Sequence, residues 1–182
     1  MADEQMNSAP TTSGGNNKMM WVIGAVVLVI IIGWVATRGV GSAVMHGVGA
    51  ANGVDVDQHM NGSTTYTDNQ GNTATVGSNT MPSNWPSDAP QNYAGASIQY
   101  SGSSNPQPGK PGSAVMYTVK ASAAAVAAHY KSELEKAGWS VAATANMGAT
   151  TVLSATKDTR SLGVYIADAG NGMVSVTVGI EM

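Results

Sequence analysis

The chain is 182 residues long, with eight basic and eleven acidic side chains and no cysteine. A net charge of -3 without any basic cluster excludes electrostatic binding of nucleic acid. The lack of cysteine excludes disulfides, a lipid-modified N-terminal cysteine and thiolate metal sites.

Residues 1–17 (MADEQMNSAPTTSGGNN) are polar, small and aperiodic. They cannot bury enough apolar area to offset the entropy of ordering, which predicts a disordered tail. Residues 18–38 carry the strongest signal in the chain. Met19 to Thr37 (MMWVIGAVVLVIIIGWVAT) is uncharged, has Trp21 and Trp34 near its ends, and is bracketed by Lys18 and Arg38. As a helix it reaches about 29 Å at roughly 1.5 Å per residue, enough to cross a hydrocarbon core of about 30 Å. The tryptophans fall where an interfacial belt would place them, and the two cations can snorkel to the headgroups. A transmembrane helix is expected. The run exceeds the apolar core of a signal peptide and follows a long leader containing Asp3 and Glu4, which argues against cleavage. Residues 39–53 repeat glycine at 39, 41, 47, 49 and 53. Glycine costs about 1 kcal/mol inside a helix and is natural in a connector, so this stretch reads as a juxtamembrane linker.

From Val54 onward the apolar period is mostly two. Val54 and Val56 alternate with Asp55 and Asp57, Val164 and Ile166 with Gly163 and Tyr165, and Val174, Val176, Val178 and Ile180 share one face. Such alternation means half-buried strands. Turn chemistry separates them at NQGN (69–72), DTR (158–160) and DAGNG (168–172), which predicts tight hairpins and a largely antiparallel sheet. One helix interrupts the pattern. Ser122 can cap it, Val126, Tyr130 and Leu134 recur every four residues, and Gly138 suits a left-handed C-terminal stop, giving a helix from about Ala123 to Ala137. Pro82, Pro86 and Pro90 favour an extended strap across the surface, able to shield a strand edge. The expected order is a leading hairpin (Val54 to Val76), the Pro-rich segment, strands near Ser97 and Val115, the helix, then four strands. Residues 54–182 thus read as one α+β domain with a helix packed on an antiparallel sheet. Trp139 is placed to plug the core where the helix ends, and Trp85 to pin the Pro-rich segment.

The segments YTDNQGNTATVGSN, WPSDAP, the Tyr-containing strand after it and HYKSELEKAGW together resemble a small domain found in bacterial single-span envelope proteins and lipoproteins of unknown function. The resemblance runs from about Asp55 to Met182. It implies a membrane-tethered domain facing the cell envelope and brings no catalytic residues. Lys18 and Arg38 balance the count of positive charge across the span, so the expected orientation, N-terminus cytoplasmic and domain outside, leans on this resemblance.

Several motifs approach known chemistry without completing it. Asp57, His59, Asn61, Gly62 and Asp68 fall at positions 1, 3, 5, 6 and 12 of an EF-hand-like loop. Histidine is a poor ligand for a hard cation, the last position wants a bidentate Glu, and neither flank is helical, so a polar hairpin loop is expected instead. Asp55, Asp57 and His59 would project to one side if extended, the arrangement of a weak transition-metal site. Ser154 and Lys157 match the S-x-x-K spacing of penicillin-recognising enzymes, yet a strand points them to opposite faces. The three histidines (His46, His59, His129) are scattered, and His129 reads as a boundary residue of the helix. No catalytic, cofactor or metal residue is assigned. The expected function is a non-catalytic binding module tethered to the membrane, with an envelope polymer or another membrane protein as partner. The alternative is a structural or assembly protein associating through its transmembrane and Gly-rich segments.

Overall fold

The computed structural model describes residues 54–69, 71–104, 111–147 and 149–182. The expected tail, transmembrane helix and linker (residues 1–53) lie outside them. Among the described residues no helix is long and apolar enough to cross a membrane.

Alternation of apolar and polar residues builds nine strands around one helix: β1 (Val54–Gln58), β2 (Thr64–Asp68), β3 (Thr73–Val76), β4 (Ser97–Ser104), β5 (Gly112–Val119), α1 (Ala123–Lys136), β6 (Ser140–Met147), β7 (Thr150–Lys157), β8 (Arg160–Gly170) and β9 (Met173–Glu181). They form one sheet, ordered β1-β2-β3-β4-β5-β9-β8-β7-β6, in which every neighbouring pair is antiparallel. Two meanders are joined by α1, which carries the chain from β5 to the far edge at β6 so that β9 returns beside β5. The α+β class read from the sequence is the one observed. The expected leading hairpin (Val54 to Val76) is a three-stranded meander, because a second turn at His59–Ser63 divides the arm before NQGN into β1 and β2. Turns close where their residues predict: Asn171 (φ 56°) and Gly172 (φ 71°) both take the left-handed conformation between β8 and β9, as a two-residue hairpin needs.

The helix is specified at both ends. Ser122 Oγ accepts from the Ala125 amide at 3.2 Å. At the other end Gly138, at φ 79°, lets its own amide reach Glu135 O at 3.1 Å and the Trp139 amide reach Leu134 O at 2.9 Å, a Schellman stop. Val126, Tyr130 and Leu134 point into the sheet and are fully buried, and α1 packs on β6, β7 and β8. They meet Leu153 and Ala155 of β7, Leu162, Val164 and Ile166 of β8, and the even-numbered face of β9. Each such side chain contributes about 1.5–3 kcal/mol by leaving water.

The Pro-rich segment between β3 and β4 lies on this same inner face rather than along an edge. Trp85 N donates to Pro82 O and Ala89 N to Pro86 O, both at 3.1 Å, so the prolines begin turns and the expected extended strap does not form. Ala89 is buried in the core, and Met81, Trp85 and Tyr93 pack against it. Truncating Leu134 to Ala should lower unfolding free energy by about 2–5 kcal/mol, whereas Glu135→Ala on the exposed side should change it by less than about 0.5 kcal/mol. Urea denaturation followed by far-ultraviolet circular dichroism reads both.

Candidate functional site

Strand parity gives the inner face two chemistries. On the β6–β9 half it is apolar and covered by α1. On the β2–β4 half it carries hydroxyls, because the alternation in TTYTD, TATV and SGS places threonine and serine on one side. Register aligns them in two rows, Thr65–Thr75–Ser101 and Thr67–Thr73–Ser103. Thr65 Oγ1 lies 3.0 Å from Thr75 Oγ1, and Thr73 Oγ1 lies 2.7 Å from Ser103 Oγ, so hydroxyls hydrogen-bond across strands. The Pro-rich segment forms the opposite wall. Between them is a cleft of about 260 Å³ lined by Thr65, Thr73, Thr75, Ser101, Gly102, Thr80, Met81, Pro82 and Ser83. None of these lining residues is charged.

Two hydrogen-bonded clusters hold that wall in place. Tyr117 of β5 places its hydroxyl 2.9 Å from the Tyr130 hydroxyl of α1 and accepts from the Tyr93 amide at 3.3 Å. Sheet, helix and Pro-rich segment meet at one buried oxygen. Burial pushes both phenols up, so they remain neutral and able to donate. The second cluster centres on Asp88. Arg160 grips its carboxylate in bidentate fashion at 2.8 and 2.7 Å, and Lys157 Nζ reaches Oδ2 at 2.8 Å. Hydrogen bonds from Arg160 and then Lys157 hold the carboxyl well below the usual carboxylate range. Lys157 also donates to Ala137 O at 2.7 Å, satisfying a carbonyl at the helix end. Trp139 plugs the core as expected, donates Nε1 to Asp88 O at 2.8 Å, and carries the Arg160 guanidinium 5.0 Å from its ring centre. Trp85 pins the segment to itself through Pro90 O at 3.2 Å. Asn84 adds a contact to the sheet, accepting from Ser113 Oγ at 2.6 Å.

On the outer face, the bulge at Gln99 turns Tyr100 away from the core. Its ring folds over Gly102, where any Cβ would collide with the phenol oxygen. Burial pushes this phenol up to about 12.

The sequence motifs do not converge. Asp57 sits opposite Thr65 and Asp68 opposite Val54, at the two ends of the β1–β2 pairing. Asn61 Oδ1 accepts from the amide and hydroxyl of Ser63, and Asp68 accepts from the amide and side chain of Asn72. The loop is a hairpin, with Gly62 at φ 84° making its turn. No group of three or more metal-ligating side chains occurs among the described residues. Ser154 pairs across from Gly163 on the outer face, while Lys157 serves Asp88 on the inner one. His129 stands edge-on to Tyr93 and Tyr130, with ring centres 5.1 and 5.4 Å apart, and its buried Nε2 has no hydrogen-bond partner. His59 Nε2 lies 3.0 Å from Thr65 Oγ1, the spacing of a base and a hydroxyl nucleophile. The pair is exposed and Thr65 already shares its oxygen with Thr75, so it extends the hydroxyl network rather than activating it.

The hydroxyl rows and the Asp88 cluster had not been picked out from the sequence. The alternating threonines were visible there, but they read equally as ordinary strand residues.

Residues 98–177 match a family model described as START domain-like. The match spans under half of the chain, from Ile98 in β4 to Thr177 in β9. It supports a small domain of unknown function; the envelope and lipoprotein setting of the resemblance is no part of it. No curated protein and no solved structure matches the chain. Most of the cleft, from Thr65 to Ser83, lies before the matched segment.

Replacing Asp88 with Asn should cost about 1–2 kcal/mol at pH 7, since it weakens three charge-assisted hydrogen bonds that remain partly in contact with water. Because the folded-state carboxyl titrates below the unfolded one, this contribution is present above the unfolded value of about 3.9 and is lost as pH falls toward the folded value. Thermal melts of the wild type and variant should therefore converge below about pH 4. A gap that stays constant from pH 7 to about pH 2.5 would show that the cluster does not support the fold.

Proposed function

We propose that the chain is a single-pass membrane protein whose domain, residues 54–182, lies outside a bacterial cytoplasmic membrane and serves as a non-catalytic binding module. The carrying observation is the uncharged, hydroxyl-lined cleft between β2–β4 and the Pro-rich segment. Its second wall, Thr80–Ser83, is bracketed by two ties to the sheet, Ile98 N donating to Asn79 Oδ1 at 2.8 Å and Ser113 Oγ donating to Asn84 Oδ1 at 2.6 Å, which supports a preorganised opening. The apolar run Met19 to Thr37 supplies the anchor, and the linker at 39–53 supplies the reach. An envelope polymer is the favoured partner, because an open polar cleft suits a chain that enters and leaves from the side. The assembly alternative draws on the apolar and Gly-rich segments, which lie outside the described residues.

Intact cells carrying the full chain with distinguishable terminal tags should lose the C-terminal tag to added protease and keep the N-terminal one. Detergent-solubilised full-length protein should also sediment with insoluble wall material. Protection of the C-terminal tag would place the domain on the cytoplasmic side and overturn this reading.

A further inference from the structure

The chemistry of the cleft specifies its ligand more closely than its position in the cell does. Each lining hydroxyl has one donor and two acceptor sites, so a pair sharing one hydrogen bond keeps one donor and three acceptor sites. Thr73 and Ser103 are such a pair, and Thr65 and Thr75 form a second that keeps its free donor when His59 Nε2 donates to Thr65. An anion would want cations or convergent amide donors, and a hard cation would want carboxylates. The lining itself is uncharged, and the nearest charges on this face, Asp57 beside Thr65 and Asp55 beside Thr67, would repel an anion, are too few to hold a metal, and can accept from a ligand hydroxyl. An apolar tail would leave the hydroxyls desolvated and unpaired. A neutral ligand rich in hydroxyls meets both the donors and the acceptors.

The facing wall narrows the class further. Met81, half-buried, and Pro82, buried, line the cleft together with the hydroxyl rows, and a sugar ring has the same division, with a hydroxyl rim and an apolar C–H face. The 260 Å³ volume is below the 300–1,000 Å³ typical of sites for drug-sized molecules, which suits one ring-sized unit. Beyond Thr65 and Thr75 the second row, Thr67–Thr73–Ser103, continues the array along the strands at about 6.8 Å, as alternate residues must. The array therefore extends past a single ring. We infer that the cleft recognises a neutral polysaccharide chain, seating one ring between Thr75, Ser101 and the Met81–Pro82 wall. The inference rests on the reading of the domain as a binding module.

The test is calorimetric titration of the full chain, in a detergent without a sugar headgroup, with two neutral probes: a tetrasaccharide of glucose and one of N-acetylglucosamine. A sulfated tetrasaccharide and palmitate serve as comparisons. At least one neutral tetrasaccharide should bind saturably and more tightly than either comparison. Thr75→Val and Ser101→Ala should each weaken it about tenfold, equivalent to about 1.4 kcal/mol, while Thr75→Ser restores binding and Tyr165→Phe on the outer face leaves it unchanged. Thermal melts matching the wild type show that the variants are folded; if Thr75→Val is not, Ser101→Ala decides alone. No saturable binding of either neutral probe, equal binding by the variants, or preference for the sulfated probe or palmitate overturns the inference. Wall sedimentation that persists in Thr75→Val would likewise refute it while leaving the binding-module reading intact. A cytoplasmic domain would sink the envelope reading without altering the titration.

Discussion

A nine-stranded sheet with, among the described residues, one helix to cover it governs the rest of this fold. At about 4.8 Å between strands the sheet is about 38 Å across, whereas a fourteen-residue helix is about 21 Å long and 10 Å wide. α1 can bury only the β6–β8 side of the inner face. The remainder needs another cover or side chains that tolerate water, and the chain uses both. The Pro-rich segment closes over Ile98, Val115 and Tyr117, while β2 and β3 turn threonines toward the part of the face that the helix does not reach.

That division explains why polar interactions concentrate where they do. The Pro-rich segment is not a regular element, so it has no ladder of its own to hold it. Its place is set by the Tyr93 amide on Tyr117, by Asn84 on Ser113, and by Asp88 between Lys157 and Arg160. The two cations flank the two-residue turn between β7 and β8, so this hairpin anchors a segment about seventy residues earlier in the chain. Lys157 also caps the helix end and Trp139 lies beneath Arg160, which couples the helix stop to the same carboxylate.

The cleft is a consequence of this packing. One wall comes from strand parity and the other from a segment whose position depends on long-range contacts. Both come largely from residues before the START domain-like match, which covers β4 through most of β9 and so contains the helix and the apolar half of the sheet. In this chain the apolar core and the hydroxyl-lined face are built by different stretches of sequence. The binding chemistry proposed here belongs mainly to the N-terminal meander.

Local rules sufficed for the elements. Period-two alternation located the strands, Ser122 and Gly138 bounded the helix, NQGN, DTR and DAGNG marked the hairpins, and Trp139 was legible as a plug because a Schellman stop swings the next residue back onto the core. The expected hairpin has a third strand because the polar loop at His59–Ser63 is itself a turn between β1 and β2. The expected strap does not form, because proline spacing fits successive turns as well as an extended run. Asp88 shows no local sign of its partners, which lie 69 and 72 residues away. Parity put Thr65, Thr75 and Ser101 on some face of a strand, but only the tertiary arrangement decided that it was the inner one beyond the reach of the helix. Sequence by itself determined which residues share a face; packing determined which parts of a face the helix covers, because the one helix among the described residues is too short and narrow to span the whole sheet.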